Sequence, residues 1–160
     1  MPWLNNILRW AFDNFLDTII SQKKTLQYTE VLKLNGYSIE FIPKDIAKLK
    51  NLKELKLWNN HLEELPEEIS TMSSLEKLTL SNNNLIKLPN NIIQLKLKKL
   101  QLLDNKSLIL TNEQKKWIKE LQANGCDLEI DKDLLSRKEK LIEENETKTK
   151  KSLKRTGLFV

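Results

Sequence analysis

Residues 52–74 read LKELKLWNNHLEELPEEISTMSS, and residues 75–96 read LEKLTLSNNNLIKLPNNIIQLK. Laid one over the other, they align Leu55 with Leu78, Leu57 with Leu80, Leu62 with Leu85, Leu65-Pro66 with Leu88-Pro89, Ile69 with Ile92 and Met72 with Leu95. Upstream, a copy beginning at Thr29 supplies Leu32, Leu34, Ile39, Ile42-Pro43, Ile46 and Leu49 at the same offsets, so the apolar-Pro dipeptide recurs every 23 residues. Downstream, a degenerate copy starts at Leu97 and runs through Leu100, Leu102 and Asn105. It breaks at Ser107-Leu108 and has no Leu-Pro. Self-similarity at a fixed period of this size is the signature of a stacked repeat array.

Within a unit, the last two residues of Leu-x-x-Leu-x-Leu lie two apart and share a face, as in a short strand, while the residues between them point the other way. The stretch Pro-x-x-Ile-x-x-Leu has the spacing of a helical turn, with Pro expected at the first helical position, where its missing N–H is harmless. Glu67 and Glu68 then fall in the first turn, which the helix dipole favours. No unit can bury its leucines alone, so the units must stack with their strands side by side. Asn60, Asn83 and Asn105 follow each strand, where the chain turns inward. An amide there can both donate and accept, pairing backbone groups that the turn would otherwise bury alone.

This pattern, Leu-x-x-Leu-x-Leu-x-x-Asn-x-Leu-x-x-Leu-Pro-x-x-Ile-x-x-Leu, resembles the leucine-rich repeat family over residues 29 to about 110. The resemblance implies an α/β fold: a curved solenoid with a parallel β-sheet on its concave face, and a concave face that binds other proteins. Thr29 and Tyr37 stand where the pattern has Leu and Asn, so the first turn is expected to be built differently.

Composition agrees with a repeat. Among 160 residues there are 31 Leu and 16 Asn, against 3 Gly, 1 Cys and 1 His. The single Cys126 excludes an intramolecular disulfide framework, and no stretch has the ~20 apolar residues of a membrane-spanning helix. Charges interrupt every candidate signal-peptide core, so a reducing, cytoplasmic setting is expected. The formal charge of +5 resides in the tail: Lys148, Lys150, Lys151, Lys154 and Arg155 account for it, leaving 22 basic and 22 acidic residues before position 147.

Solenoid ends expose leucines and need caps. Residues 1–28 supply the first: Trp3, Leu4, Ile7, Leu8, Ala11, Phe12, Phe15, Leu16, Ile19 and Ile20 follow helical spacing, predicting one amphipathic helix over residues 3–20. Asp13 and Asp17 face a lone Arg9 on its polar stripe, so a packed cap fits better than a membrane-lying helix. Residues 111–131 supply the second: Thr111 and Gln114 form a capping box for a helix with Trp117, Ile118 and Leu121 inward, and a strand follows over Cys126–Asp131. Residues 132–146 are expected as a polar helix carrying Leu134, Leu135, Leu141 and Ile142, and residues 147–160 as a disordered basic tail.

The outward strand positions are Val31, Lys33 and Asn35; Glu54, Lys56 and Trp58; Lys77, Thr79 and Ser81; and Lys99, Gln101 and Leu103. They form the expected protein-binding face. Trp58 is its candidate anchor, since large aromatics carry a disproportionate share of interface energy. The plainer account packs Trp58 along the stems of Lys33, Lys56 or Lys77. The lysines would favour acidic segments on a protein or peptide ligand. Five or six strands at ~4.8 Å spacing and about four residues of each give a footprint of only ~300 Å², so loops or caps must add to it or the ligand must be short.

An alternative gives the work to the tail, an adaptor touching an acidic partner or anionic membrane with the solenoid as scaffold. Five charges without interleaved aromatics specify no nucleic acid. No catalytic, metal or cofactor constellation emerges: His61 is the only imidazole, Cys126 belongs to the far cap, and three glycines make no phosphate loop.

Overall fold

A computed structural model describes residues 1–21 and 23–138. The expected tail over residues 147–160 and the second half of the expected polar helix lie outside them.

Five three-residue strands form one parallel sheet in sequence order: β1 (Val31–Lys33), β2 (Glu54–Lys56), β3 (Lys77–Thr79), β4 (Lys99–Gln101) and β5 (Asp127–Glu129). Leu32, Leu55, Leu78, Leu100 and Leu128 stand in register across it. The first four are buried, as are Leu34, Leu57, Leu80 and Leu102 two positions on. Backbone pairing runs past the strand ends: Leu34, Leu57, Leu80 and Leu102 N–H donate to the carbonyls of Lys56, Thr79, Gln101 and Glu129 at 2.8–2.9 Å. Continuous leucine rows and continuous ladders replace the single compact core of an ordinary domain.

The return segments are 3₁₀ turns at Lys44–Lys48, Glu67–Thr71 and Asn90–Gln94. Proline sits one residue earlier than expected. Pro43, Pro66 and Pro89 precede the turn with extended ψ near 140°, and their carbonyls accept from Ile46, Ile69 and Ile92 N–H at 3.0–3.1 Å. The isoleucines are fully buried. The tighter helix suits a one-turn return, where i→i+3 bonds close at once.

Three residues past each of the first four strands stands a residue with positive φ: Gly36 at 72°, Asn59 at 59°, Asn82 at 56° and Asp104 at 56°. Only Gly, Asn and Asp visit this region readily. Asn60, Asn83 and Asn105 come next and are buried. Asn60 Oδ1 accepts from Tyr37 and Ile39 N–H, while its Nδ2 donates to Leu34 and Leu57 carbonyls. Asn83 serves Leu62 N–H and the Leu57 and Leu80 carbonyls, and Asn105 serves Leu85 N–H and the Leu80 and Leu102 carbonyls. Each amide therefore ties its own strand end to the turn of the unit before it. The first unit has no predecessor with such a turn, which is why Tyr37 is tolerated there.

The N-terminal segment is two helices, α1 (Pro2–Asp13) and α2 (Asp17–Ser21), where a single one was expected. Leu16 N–H donates to the Ala11 carbonyl at 2.8 Å and Phe15 N–H to Phe12 at 3.1 Å, with Phe15 at φ 54°. This is a Schellman ending with Phe in the position usually held by Gly. The break turns Leu16 and Ile19 into the core beside Ile7, Trp10 and Ala11. At the far end, α3 (Asn112–Ala123) closes a full capping box, Gln114 N–H to Thr111 Oγ1 at 3.2 Å and Thr111 N–H to Gln114 Oε1 at 3.1 Å. Residues 132–138 hold one 3₁₀ turn, Leu134–Ser136, with no α-helix among them. Arg137 leaves it extended, reaching Asp131, Asp133 and the Asn105 carbonyl at 2.7–3.0 Å.

Candidate protein-binding surface

Three columns of outward side chains cross the strand face. Sheet register places Val31, Glu54, Lys77, Lys99 and Asp127 in the first, and Lys33, Lys56, Thr79, Gln101 and Glu129 in the second. Asn35, Trp58, Ser81 and Leu103 form the third, tied by Gly36 N–H to the Trp58 carbonyl, Asn59 to Ser81 and Asn82 to Leu103 at 2.8–3.2 Å.

Charge on the first two columns is largely paired. Lys56 Nζ lies 3.2 Å from Glu54 Oε1, and Lys99 Nζ lies 2.5 Å from Asp127 and 3.5 Å from Glu129. The hydrogen bond to Asp127 is the chief reason the Lys99 pKa is raised. Lys33 and Lys77 make no ion pair among the described residues. The outward Asp127 and Glu129 of β5, which the sequence reading passed over, join Glu54 to set three carboxylates against four lysines. The face is close to neutral rather than basic.

Trp58 is 46% exposed, while Thr79, also at an outward position, is only 4% exposed. Its hydroxyl makes no hydrogen bond among the described residues, and neither do the buried Asn35 Oδ1 and Ser81 Oγ. All three orphan atoms lie on the face that carries Trp58. Nothing in single-residue pattern reading marks Thr79 as covered, because burial at an outward position depends on what the stacked rungs set around it, here Lys56 and Gln101 in register on either side. The positive-φ column was legible: Gly, Asn, Asn and Asp recur one residue before each ladder position.

Elsewhere, a cleft of about 760 Å³ between the loops of the later units and the C-terminal cap is lined by Ile86, Leu88, Ile109, Gln114 and Arg137 and contains no strand-face residue. Cys126 is half-buried and its thiol pKa is raised, chiefly by burial, which weakens it as a nucleophile. No group of His, Cys, Asp or Glu suited to a metal ion exists among the described residues, and no helix there is long and apolar enough to cross a membrane.

The sequence model for leucine-rich repeats matches residues 27–85. Among solved structures, a leucine-rich repeat protein of Leptospira interrogans superposes with a TM-score of 0.54 at 38% identity. This chain carries leucine-rich repeats. The superposition covers 70% of this chain and 26% of the Leptospira protein, so the chain spans about a quarter of that relative's length. No curated protein matches it. Leucine-rich repeats are in general protein-interaction modules.

Proposed function

We propose that the chain is a non-catalytic protein-binding module whose ligand docks on the concave strand face, with Trp58 as anchor. The observation that carries this reading is a half-exposed indole on a mostly polar, nearly charge-balanced face. A large aromatic left open to water there is available to fill a partner's pocket. The strand face also lacks the tight self-sufficiency of the ladder side, where the buried amides are bonded.

Site-directed photocrosslinking in native cell extract tests it. A benzophenone side chain at position 81 is expected to capture a discrete partner, one at exposed Ile93 on the return segment is not, and capture at position 81 is expected to disappear in Trp58→Ala. Removing residues 147–160 is expected to leave capture intact. Loss on that deletion, with indifference to Trp58→Ala, would instead assign recognition to the tail.

A further inference from the structure

Resting on the strand face as the ligand surface, we propose that the ligand is an extended, uncharged peptide segment laid across the rungs along the third column, Asn35, Trp58, Ser81 and Leu103. That column carries no charge, whereas Lys56 and Lys99 in the other two are held by carboxylates. A charged side chain set on the third column would lose water without an opposite charge in that column to meet it, since the unpaired Lys33 and Lys77 stand in the other two.

The orphan atoms define the complementary chemistry. Asn35 Oδ1 can only accept and so requires an N–H, while the Ser81 and Thr79 hydroxyls can donate or accept. A peptide backbone offers N–H and C=O alternately along its length and meets all three without a charged group. Asn35 and Ser81 occupy the rungs on either side of Trp58, and Lys56 and Gln101 stand in register with Thr79, so a ligand reaches the three buried atoms by displacing the side chains around them. Rungs ~4.8 Å apart set Asn35 and Leu103 ~14 Å apart, the span of about four extended residues. An apolar or aromatic side chain then rests on Trp58 and Leu103.

The probe is a phage-displayed library of random linear dodecapeptides, selected on the full chain and counter-selected on Trp58→Ala. The enriched peptides are expected to share an uncharged core of four or five residues with a large apolar side chain. Their affinity falls about tenfold or more in Trp58→Ala, about three- to tenfold in Thr79→Val and Ser81→Ala, and stays unchanged in Lys33→Ala/Lys77→Ala and in raised salt. Thr79→Val keeps the shape of the side chain, and a melting temperature at or above wild type separates lost recognition from lost folding. Acidic cores whose binding needs Lys33 and Lys77 and weakens with salt would overturn the peptide chemistry while leaving the strand face as the site. Enriched peptides indifferent to every strand-face substitution, or no enrichment over Trp58→Ala, would overturn both.

Discussion

The two ends of the solenoid solve the same problem with different completeness. Both α1 and α3 are 12-residue helices carrying a tryptophan into the core, and both end in a Schellman motif. At the C-terminal end Trp117 Nε1 donates to the Leu95 carbonyl at 3.0 Å, Gln114 Nε2 reaches the Leu88 and Pro89 carbonyls, and Gly125 takes the positive-φ position at 81°. At the N-terminal end Trp10 Nε1 is buried with no partner among the described residues, α1 has no side-chain cap, and Phe15 holds the positive φ while 83% exposed. A cap therefore needs only an apolar face to exist. Hydrogen bonds to the carbonyls of a neighbouring repeat decide how firmly it is held.

Exchanging each tryptophan for phenylalanine should separate the caps most widely. Trp117→Phe leaves the Leu95 carbonyl unpaired and a void beneath α3, a loss of about 2–3 kcal/mol. Trp10→Phe creates a similar void but removes an orphan donor, so its loss should stay below about 1 kcal/mol. Urea unfolding of the two variants measures this, and equal losses would mean that the Trp117 hydrogen bond contributes nothing net.

Arg137 gives the C-terminal end a second hold. Removing it in Arg137→Ala strips the charge-assisted bond from the Asn105 carbonyl, and should lower stability by about 1–2 kcal/mol. The hydrogen bond from its guanidinium is the main cause that keeps Asp133 below the ordinary carboxylate range. A carboxylate so depressed stabilises the fold above its unfolded pKa of about 3.9 and loses that contribution as pH falls through the lower folded value. Acid unfolding of wild type should thus steepen below about pH 4 relative to Arg137→Ala. Parallel curves would show that the pair is not coupled to folding.

Between the caps, Thr79 shares the condition of Trp10: a buried polar atom without a partner among the described residues. Thr79→Val removes an unsatisfied hydroxyl at constant shape and should raise stability by about 1 kcal/mol. A thermal melt decides it, and a drop in melting temperature would show that the hydroxyl is hydrated in solution.

These contrasts follow how far each feature is written in local sequence. Leu55, Leu57, Leu78 and Leu80 announce the sheet because every unit repeats them, and Thr111 with Gln114 announces a helix start because both partners of the capping box lie within four residues. The break at Phe15 carries no such mark, since a bulky residue at positive φ opposes propensity and is selected by the burial of Leu16 and Ile19. Arg137 acts on Asn105 across 32 residues, a contact no periodicity encodes. On the strand face, offsets identify which side chains point outward, but the cover over Thr79 and the carboxylates of β5 emerge only when the rungs are stacked.

The finest test of the two ends compares their Schellman positions directly. A non-glycine residue at left-handed φ carries a strain of about 1–2 kcal/mol, partly offset because glycine loses about 0.5–1 kcal/mol more backbone entropy on folding. Phe15 is almost wholly in water, so replacing it removes little packing. Phe15→Gly should therefore stabilise the chain by about 0.5–1 kcal/mol. Gly125 has open space where a Cβ would stand, so Gly125→Ala meets strain without a clash and should destabilise by a similar ~1 kcal/mol. Opposite signs in paired thermal melts would show that the N-terminal end tolerates strain which its partner has relieved. If Phe15→Gly instead destabilises, the exposed ring makes a contact that outweighs its backbone strain, and the asymmetry between the caps narrows to their tryptophans.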